Sequence, residues 1–178
     1  MIKILLITYL AVISHVSNAE DDCGTGSALT TICGFTAPED IELAGDSQSL
    51  LIGEMIANGR LLVLKLDAMN AEPTELYPAL STAGAADWGS KDCTGYPSQM
   101  TFHGIDLFKR NDGHWQLLVV NHGQRESVEF FQVVTDESAT PLSLVWRGCA
   151  LAPGNESLND VAALPGGGFL STTPFVGG

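Results

Sequence analysis

Basic residues are scarce in this chain: eight Lys and Arg stand against 21 Asp and Glu in 178 residues, for a formal net charge of −13. That shortage argues against nucleic acid as the main partner, because phosphate binding needs clustered Lys and Arg. Anionic membrane surfaces are disfavoured for the same reason. Charge of either sign is only 16% of the chain, against 45% apolar residues, which argues against wholesale disorder. Aromatics are few, at 7%. No segment carries a helical hydrophobic period of any length. Beyond the first 16 residues no apolar run approaches the ~20 residues of a membrane-spanning helix. The four cysteines include no C-x2-C pair and have no neighbouring His ligands, which disfavours zinc.

The chain does carry an export pattern. Lys3, the apolar stretch Ile4 to Val16 and the small-residue end Ser17-Asn18-Ala19 read as a signal peptide over residues 1–19. The expectation is a secreted or periplasmic protein, with no membrane insertion after signal cleavage. Cys23, Cys33, Cys93 and Cys149 all follow that segment. An even count in an exported chain reads as two disulfides with three connectivities open. Cys23 with Cys33 and Cys93 with Cys149 is the favoured arrangement, since the first pair closes a short Gly-rich loop. The acidic surface leaves room for a hard cation such as Ca2+. Asn155-Glu156-Ser157 is a glycosylation sequon.

After residue 20 the pattern is of short strands broken by turns. Residues 49–56 and 60–67 flank Asn58-Gly59, a hairpin signal. Residues 70–101 read as irregular. Strand-like runs follow at 104–109, 115–121, 127–135, 142–146, 161–164 and 169–172. This is an all-β chain of around nine strands. Serial four-stranded units of roughly 40–50 residues suggest propeller blades; a sandwich is the alternative, and pattern alone leaves both open.

Polar clusters sit at the strand ends: Glu39-Asp40 just before the first strand, Phe102-His103-Gly104-Ile105, Val120-Asn121-His122-Gly123, and Leu158-Asn159-Asp160-Val161. Each abuts an apolar run that pulls it toward the interior, where a β scaffold can aim side chains into one cleft. His114 falls in a turn and reads as exposed.

Four blocks, in order and spacing, resemble the paraoxonase/arylesterase family. They are Pro38-Glu39-Asp40-Ile41-Glu42, the run from His103-Gly104-Ile105 through Leu117 to His122, Val128-Glu129-Phe130-Phe131, and Leu158-Asn159-Asp160-Val161-Ala162. The likeness spans roughly residues 34–173, the first half of a complete family member. It implies a six-bladed β-propeller, incomplete here with about three blades present, so that residues 20–178 would be the N-terminal blades. It also implies a calcium-dependent hydrolase of lactones or aryl esters with two calcium sites on the propeller axis. Glu39 and Asn159 match ligands of an upper, catalytic Ca2+. Asp40, the carbonyl of Ile105 and Asp160 match ligands of a lower, structural Ca2+. His103 and His122 match the family's histidine pair, His103 as the base that takes a proton from water and His122 as its orienting or relaying partner. Gly123 stands where familiar members carry proline, and a looser turn is expected there.

The family's catalytic calcium takes three further ligands from later blades, which match nothing here. Two side chains fall short of the ~6–8 oxygens Ca2+ takes, so this chain is expected to be truncated and weak or inactive, with the structural site the better formed. A homodimer completing a ring and a remnant without activity are the other expectations. A gluconolactonase- or regucalcin-type propeller hydrolase is the enzyme alternative, although it does not rely on such a histidine pair. A non-catalytic propeller-derived binding protein is the alternative from another class.

Overall fold

A computed structural model describes residues 31–66, 72–78 and 80–174, and every element below lies in the unit that begins at Gly34. The expected signal segment 1–19 and Cys23 lie outside the described residues. Eleven strands and one 3-10 turn (Pro153–Asn155) make up the regular structure, with no α-helix among the described residues. The all-β expectation is met.

The first sheet is an antiparallel meander in chain order, β1 (Pro38–Leu43), β2 (Ser49–Glu54), β3 (Leu61–Lys65) and β4 (Thr74–Tyr77). The second runs β6 (Phe102–Lys109), β7 (Trp115–Asn121), β8 (Ser127–Thr135) and β9 (Pro141–Leu151), again antiparallel and in order. The short β5 (Ser81–Ala83) adds in parallel to the outer edge, against β9. A hairpin of β10 (Val161–Ala163) and β11 (Phe169–Ser171) forms the third unit. None of these sheets is closed.

Strand β7 shows how the sequence dictates the layering. Its continuous run Leu117-Leu118-Val119-Val120 is buried on both faces, as apolar runs without alternation require. Leu117 and Val119 face Phe131, Leu51, Leu61 and Tyr77 in the core between the two large sheets. Leu118 and Val120 face the opposite way, toward Phe130, Leu158 and Val161 under the third unit. Fully burying each such side chain contributes roughly 1.5–3 kcal/mol.

At the Asn58-Gly59 turn, Asn58 adopts the left-handed region at φ 56°, which Asn tolerates better than most residues. A Cβ on Gly59 would collide with the Glu54 carbonyl, so glycine is required there.

Two boundaries differ from the sequence reading. Glu39-Asp40 lies inside β1 rather than before the first strand, because Pro38 to Leu43 pair with β2. Residues 70–101 contain β4 and β5, whose pairing comes from neighbouring strands. Among the described residues of that stretch, the N–H groups of Gly84, Trp88 and Ser90 donate to the carbonyls of Trp146, Arg147 and Cys149. Trp88 lies under the guanidinium groups of Arg110 and Arg147 at 4.2 and 4.6 Å, and Arg147 pairs with Asp87. Such cation–π contacts contribute about 0.5–1 kcal/mol each at exposed sites.

Candidate active site and metal centre

Strand β1 forms the free edge of the first sheet and β6 that of the second. The two pack against each other, and β10 packs against β6. The residues singled out in the sequence sit on or beside these three strands.

On β1 the usual polarity is inverted. Asp40 and Glu42 are half-buried, while Ile41 and Leu43 are more than half exposed. Alternation along a strand therefore turns carboxylates, not apolar side chains, toward β6. A register shift between Pro38 and Asp40 interrupts that alternation at Glu39. Asp40 Oδ2 accepts the Ile105 N–H at 2.7 Å, and its Oδ1 accepts the Ile41 N–H at 2.8 Å.

Strand β6 carries a second irregularity, between Phe102 and Ile105, of the kind that re-aims side chains at sheet edges. Within it, Gly104 donates its N–H to the Asn159 carbonyl at 3.1 Å. A Cβ there would lie 2.5 Å from Asp160 Oδ1. Only glycine lets the Asn159-Asp160 segment approach β6 so closely. That segment is fixed from its other side by β11, where the Thr172 N–H and the Ser171 hydroxyl both donate to the Asp160 carbonyl.

His103 Nδ1 and His122 Nε2 are 2.8 Å apart. His122 Nδ1 in turn lies 2.8 and 3.0 Å from the two carboxylate oxygens of Glu126. At the far end of the chain His103 Nε2 is 3.4 Å from Glu39 Oε1. The imidazoles are 13% and 14% exposed. The turn presenting His122 is clamped by fully buried Asn121, whose Oδ1 accepts the N–H groups of Thr101 and Gly123 at 3.0 and 2.9 Å. Gly123 does not loosen this turn. Its N–H is used, and a Cβ would lie 2.5 Å from the Gln99 carbonyl.

The electrostatics are lopsided. Asp40 and Asp160 bear on both Glu39 and Glu42, Asp106 bears on Glu42, and among the described residues none of the five pairs with Lys or Arg. Burial, followed by the carboxylates of Asp106, Asp40 and Asp160, pushes Glu42 up to about 7. Glu39 is also raised, by burial first, against the opposing pull of His103 and with Asp40 and Asp160 adding to the rise. The donors are hard oxygens gathered without a resident cation side chain, which suits Ca2+ in kind. Among the described residues no three acidic or imidazole groups here bring ligand atoms within 4.8 Å of one another, so water would have to complete any coordination shell.

A different cluster meets that distance criterion: Cys93, Glu129 and Cys149. It is not a metal centre. The two sulfurs are bonded to each other, with Cα atoms 5.5 Å apart. Glu129 is fully buried, and its oxygens accept from Arg125, Ser127 and Trp146. Cys93–Cys149 is one of the two pairings favoured from sequence. Cys33 is disulfide-bonded as well, and its expected partner lies outside the described residues. His114 is exposed, as read from sequence.

A cleft of about 800 Å³ between β6–β8 and the third unit, lined by Trp88, Phe108, Arg110, Phe130, Pro165 and Phe169, contains none of the candidate residues. Glu126, Glu42, Asp106 and Asn121 were missed as site residues. Glu126 faces His122 across a hairpin loop, a signal available from the five-residue spacing between β7 and β8 once those strands are assigned. No protein-family model matches the chain, and no curated protein matches it either.

Proposed function

We propose that the chain carries the histidine pair and the first calcium-binding residues of a calcium-dependent hydrolase of lactones or aryl esters, arranged as in the paraoxonase/arylesterase propellers it resembles. The observation that carries this reading is the hydrogen-bonded pair His103–His122 set beside Glu39. The strand order supports it too. A four-stranded meander and a five-stranded sheet with β6–β9 in meander order meet at β1 and β6, with a hairpin packed on β6, an arrangement compatible with consecutive blades.

Asp40, the Ile105 backbone and Asp160 would hold the lower cation, and Glu39 with Asn159 the upper one. Calcium, when bound at the upper position, supplies a Lewis acid for the ester carbonyl and its developing negative charge. The chain's own residues do the proton work. His103 takes the proton from the attacking water, and His122 orients the His103 ring through its Nδ1.

Glu39 and Asn159 are two side chains where Ca2+ takes about six to eight oxygens. Hydrolysis by this chain is therefore expected to be weak and to rise into millimolar calcium. The test is turnover of a simple lactone and an aryl acetate by the purified chain, with calcium and with excess chelator, beside His103→Gln. Activity lost to both changes is the expected result. Turnover that survives either one, or none at millimolar calcium from a folded protein, removes the hydrolase reading.

A further inference from the structure

We infer that Glu126 is a positioning residue that sets the tautomers of both histidines. Both of its carboxylate oxygens lie within 3.0 Å of the same nitrogen, His122 Nδ1. A carboxylate can only accept there, so Nδ1 carries the hydrogen. In neutral His122 the other nitrogen, Nε2, is then bare and must accept from His103 Nδ1, 2.8 Å away. His103 is left with its hydrogen on Nδ1 and a bare Nε2, the nitrogen that faces Glu39. A carboxylate stands at each end of the row, but Glu126 holds its nitrogen at 2.8 and 3.0 Å while Glu39 stands at 3.4 Å. The shorter contact at Glu126 sets the direction of the row and leaves Nε2 of His103 as the nitrogen able to act as a base. The catalytic use of that nitrogen rests on the hydrolase reading; the tautomer assignment does not.

The local fold explains why Glu126 is in place. Asn121 pairs with Ser127 across the β7–β8 ladder, so residues 122–126 form a closed loop with His122 and Glu126 at its two ends. The Ala152 N–H fixes the Glu126 carbonyl at 3.0 Å. Neighbouring Arg125 does not compete for the carboxylate, because it is bound to Glu129 and to the carbonyls of Thr94 and Gly95. His122 is the only ion-pair partner of Glu126 among the described residues. A loop-closing role alone would require neither a direct line to a second imidazole nor this separation from arginine.

The experiment is long-range 15N–1H NMR of the ring nitrogens in calcium-free protein at alkaline pH, on the wild type and Glu126→Ala. The expected wild-type pattern is Nδ1–H for both His122 and His103. In Glu126→Ala both rings should lose that uniform pattern, while amide resonances outside residues 121–127 stay in place. Wild-type His122 protonated on Nε2 would overturn the assignment, whether or not the variant folds. An unchanged pattern in a folded Glu126→Ala would overturn it as well. Where lactone turnover is measurable, the variant should lose roughly tenfold or more in kcat at little-changed KM. The expected tautomers in a protein without turnover would uphold the assignment and count against the hydrolase reading alone.

Discussion

Gly104 on β6 and Asp160 ahead of β10 are in direct contact, with no room for a single added carbon between the Gly104 Cα and the Asp160 carboxylate. This contact joins the edge of the second sheet to the third unit and sets the Asp160 carboxylate against Gly104, one residue before the Ile105 N–H that Asp40 holds from β1. Gly104→Ala should force the Asn159-Asp160 segment away and break the bond from the Gly104 N–H to Asn159. Overpacking of this kind typically costs ~1–3 kcal/mol. Calorimetry should record that loss in calcium-free protein together with weakened calcium binding. An alanine variant that binds calcium like the wild type would separate Asp160 from the site.

Glu42 faces the carboxylates of Asp106, Asp40 and Asp160, and none of the four has a Lys or Arg partner among the described residues. In calcium-free buffer Glu42→Gln removes one of them, the one that burial and Asp106 most disfavour as an anion. The variant should be more stable than the wild type without metal, and its thermal midpoint should rise less when calcium is added. On the calcium reading proposed above, an ion at a hundredfold its Kd would stabilise the wild type by about 2.7 kcal/mol, a rise that scanning fluorimetry would record. Equal calcium shifts in the two proteins would show that Glu42 does not feel the ion.

Much of this arrangement was legible from the chain itself. The strands from β6 to β9 follow from apolar runs separated by strong turn residues, and three of the four polar clusters lie at strand ends as read, while Glu39-Asp40 lies inside β1. The inward side of β1 was not. A reader who turns apolar residues inward would bury Ile41 and Leu43, whereas the fold half-buries Asp40 and Glu42 and exposes the two hydrophobes. A polar interior reverses the rule on which the reading depends. Glu126 was missed for another reason: the Asn121–Ser127 pairing sets it opposite His122, a consequence of the five-residue loop between the runs 115–121 and 127–135 that was not followed through. Strands β4 and β5 escaped because four and three residues give too little alternation to see, and their pairing comes from β3 and β9.

Away from the site, Glu54 gives the molecule an acid-sensitive clamp. Its side chain is 1% exposed, and both oxygens are held by Arg60 at 2.6 Å, with the Thr36 N–H at 2.7 Å. Burial alone would raise its pKa, but the hydrogen bonds from Arg60 and Thr36 outweigh it and hold the carboxyl below its ordinary 4.5. A carboxyl depressed in the folded state contributes stability that is present above the unfolded value and lost as pH falls through the lower, folded one. Denaturation followed by pH should therefore show a decline beginning below 4.5. Glu54→Gln should lack that part of the decline and be less stable at neutral pH by about 3 kcal/mol, the low end for breaking a buried pair, since Arg60 keeps 29% of its exposure. An acid limb identical to wild type would assign the loss to other carboxylates.

The disulfide Cys93–Cys149 spans 56 residues and ties the irregular stretch before β6 to the middle of β9. In the chain-entropy account a loop of that size limits the unfolded ensemble by about 4 kcal/mol. Both half-cystines are 5% exposed or less, and the sulfurs adjoin the buried Glu129, whose hydrogen bonds to Arg125, Ser127 and Trp146 need the same packing. Replacing both cysteines with alanine should therefore cost more than the entropy of the link, because the Glu129 network loses its wall on that side. Denaturant unfolding of Cys93→Ala/Cys149→Ala should give a midpoint well below wild type, and tryptophan emission should report the change at Trp146. Adding Trp146→Phe should cost much less in the cysteine-free background than in the wild type if the two features share their packing. Fully additive costs would mean that the disulfide acts on the unfolded chain alone.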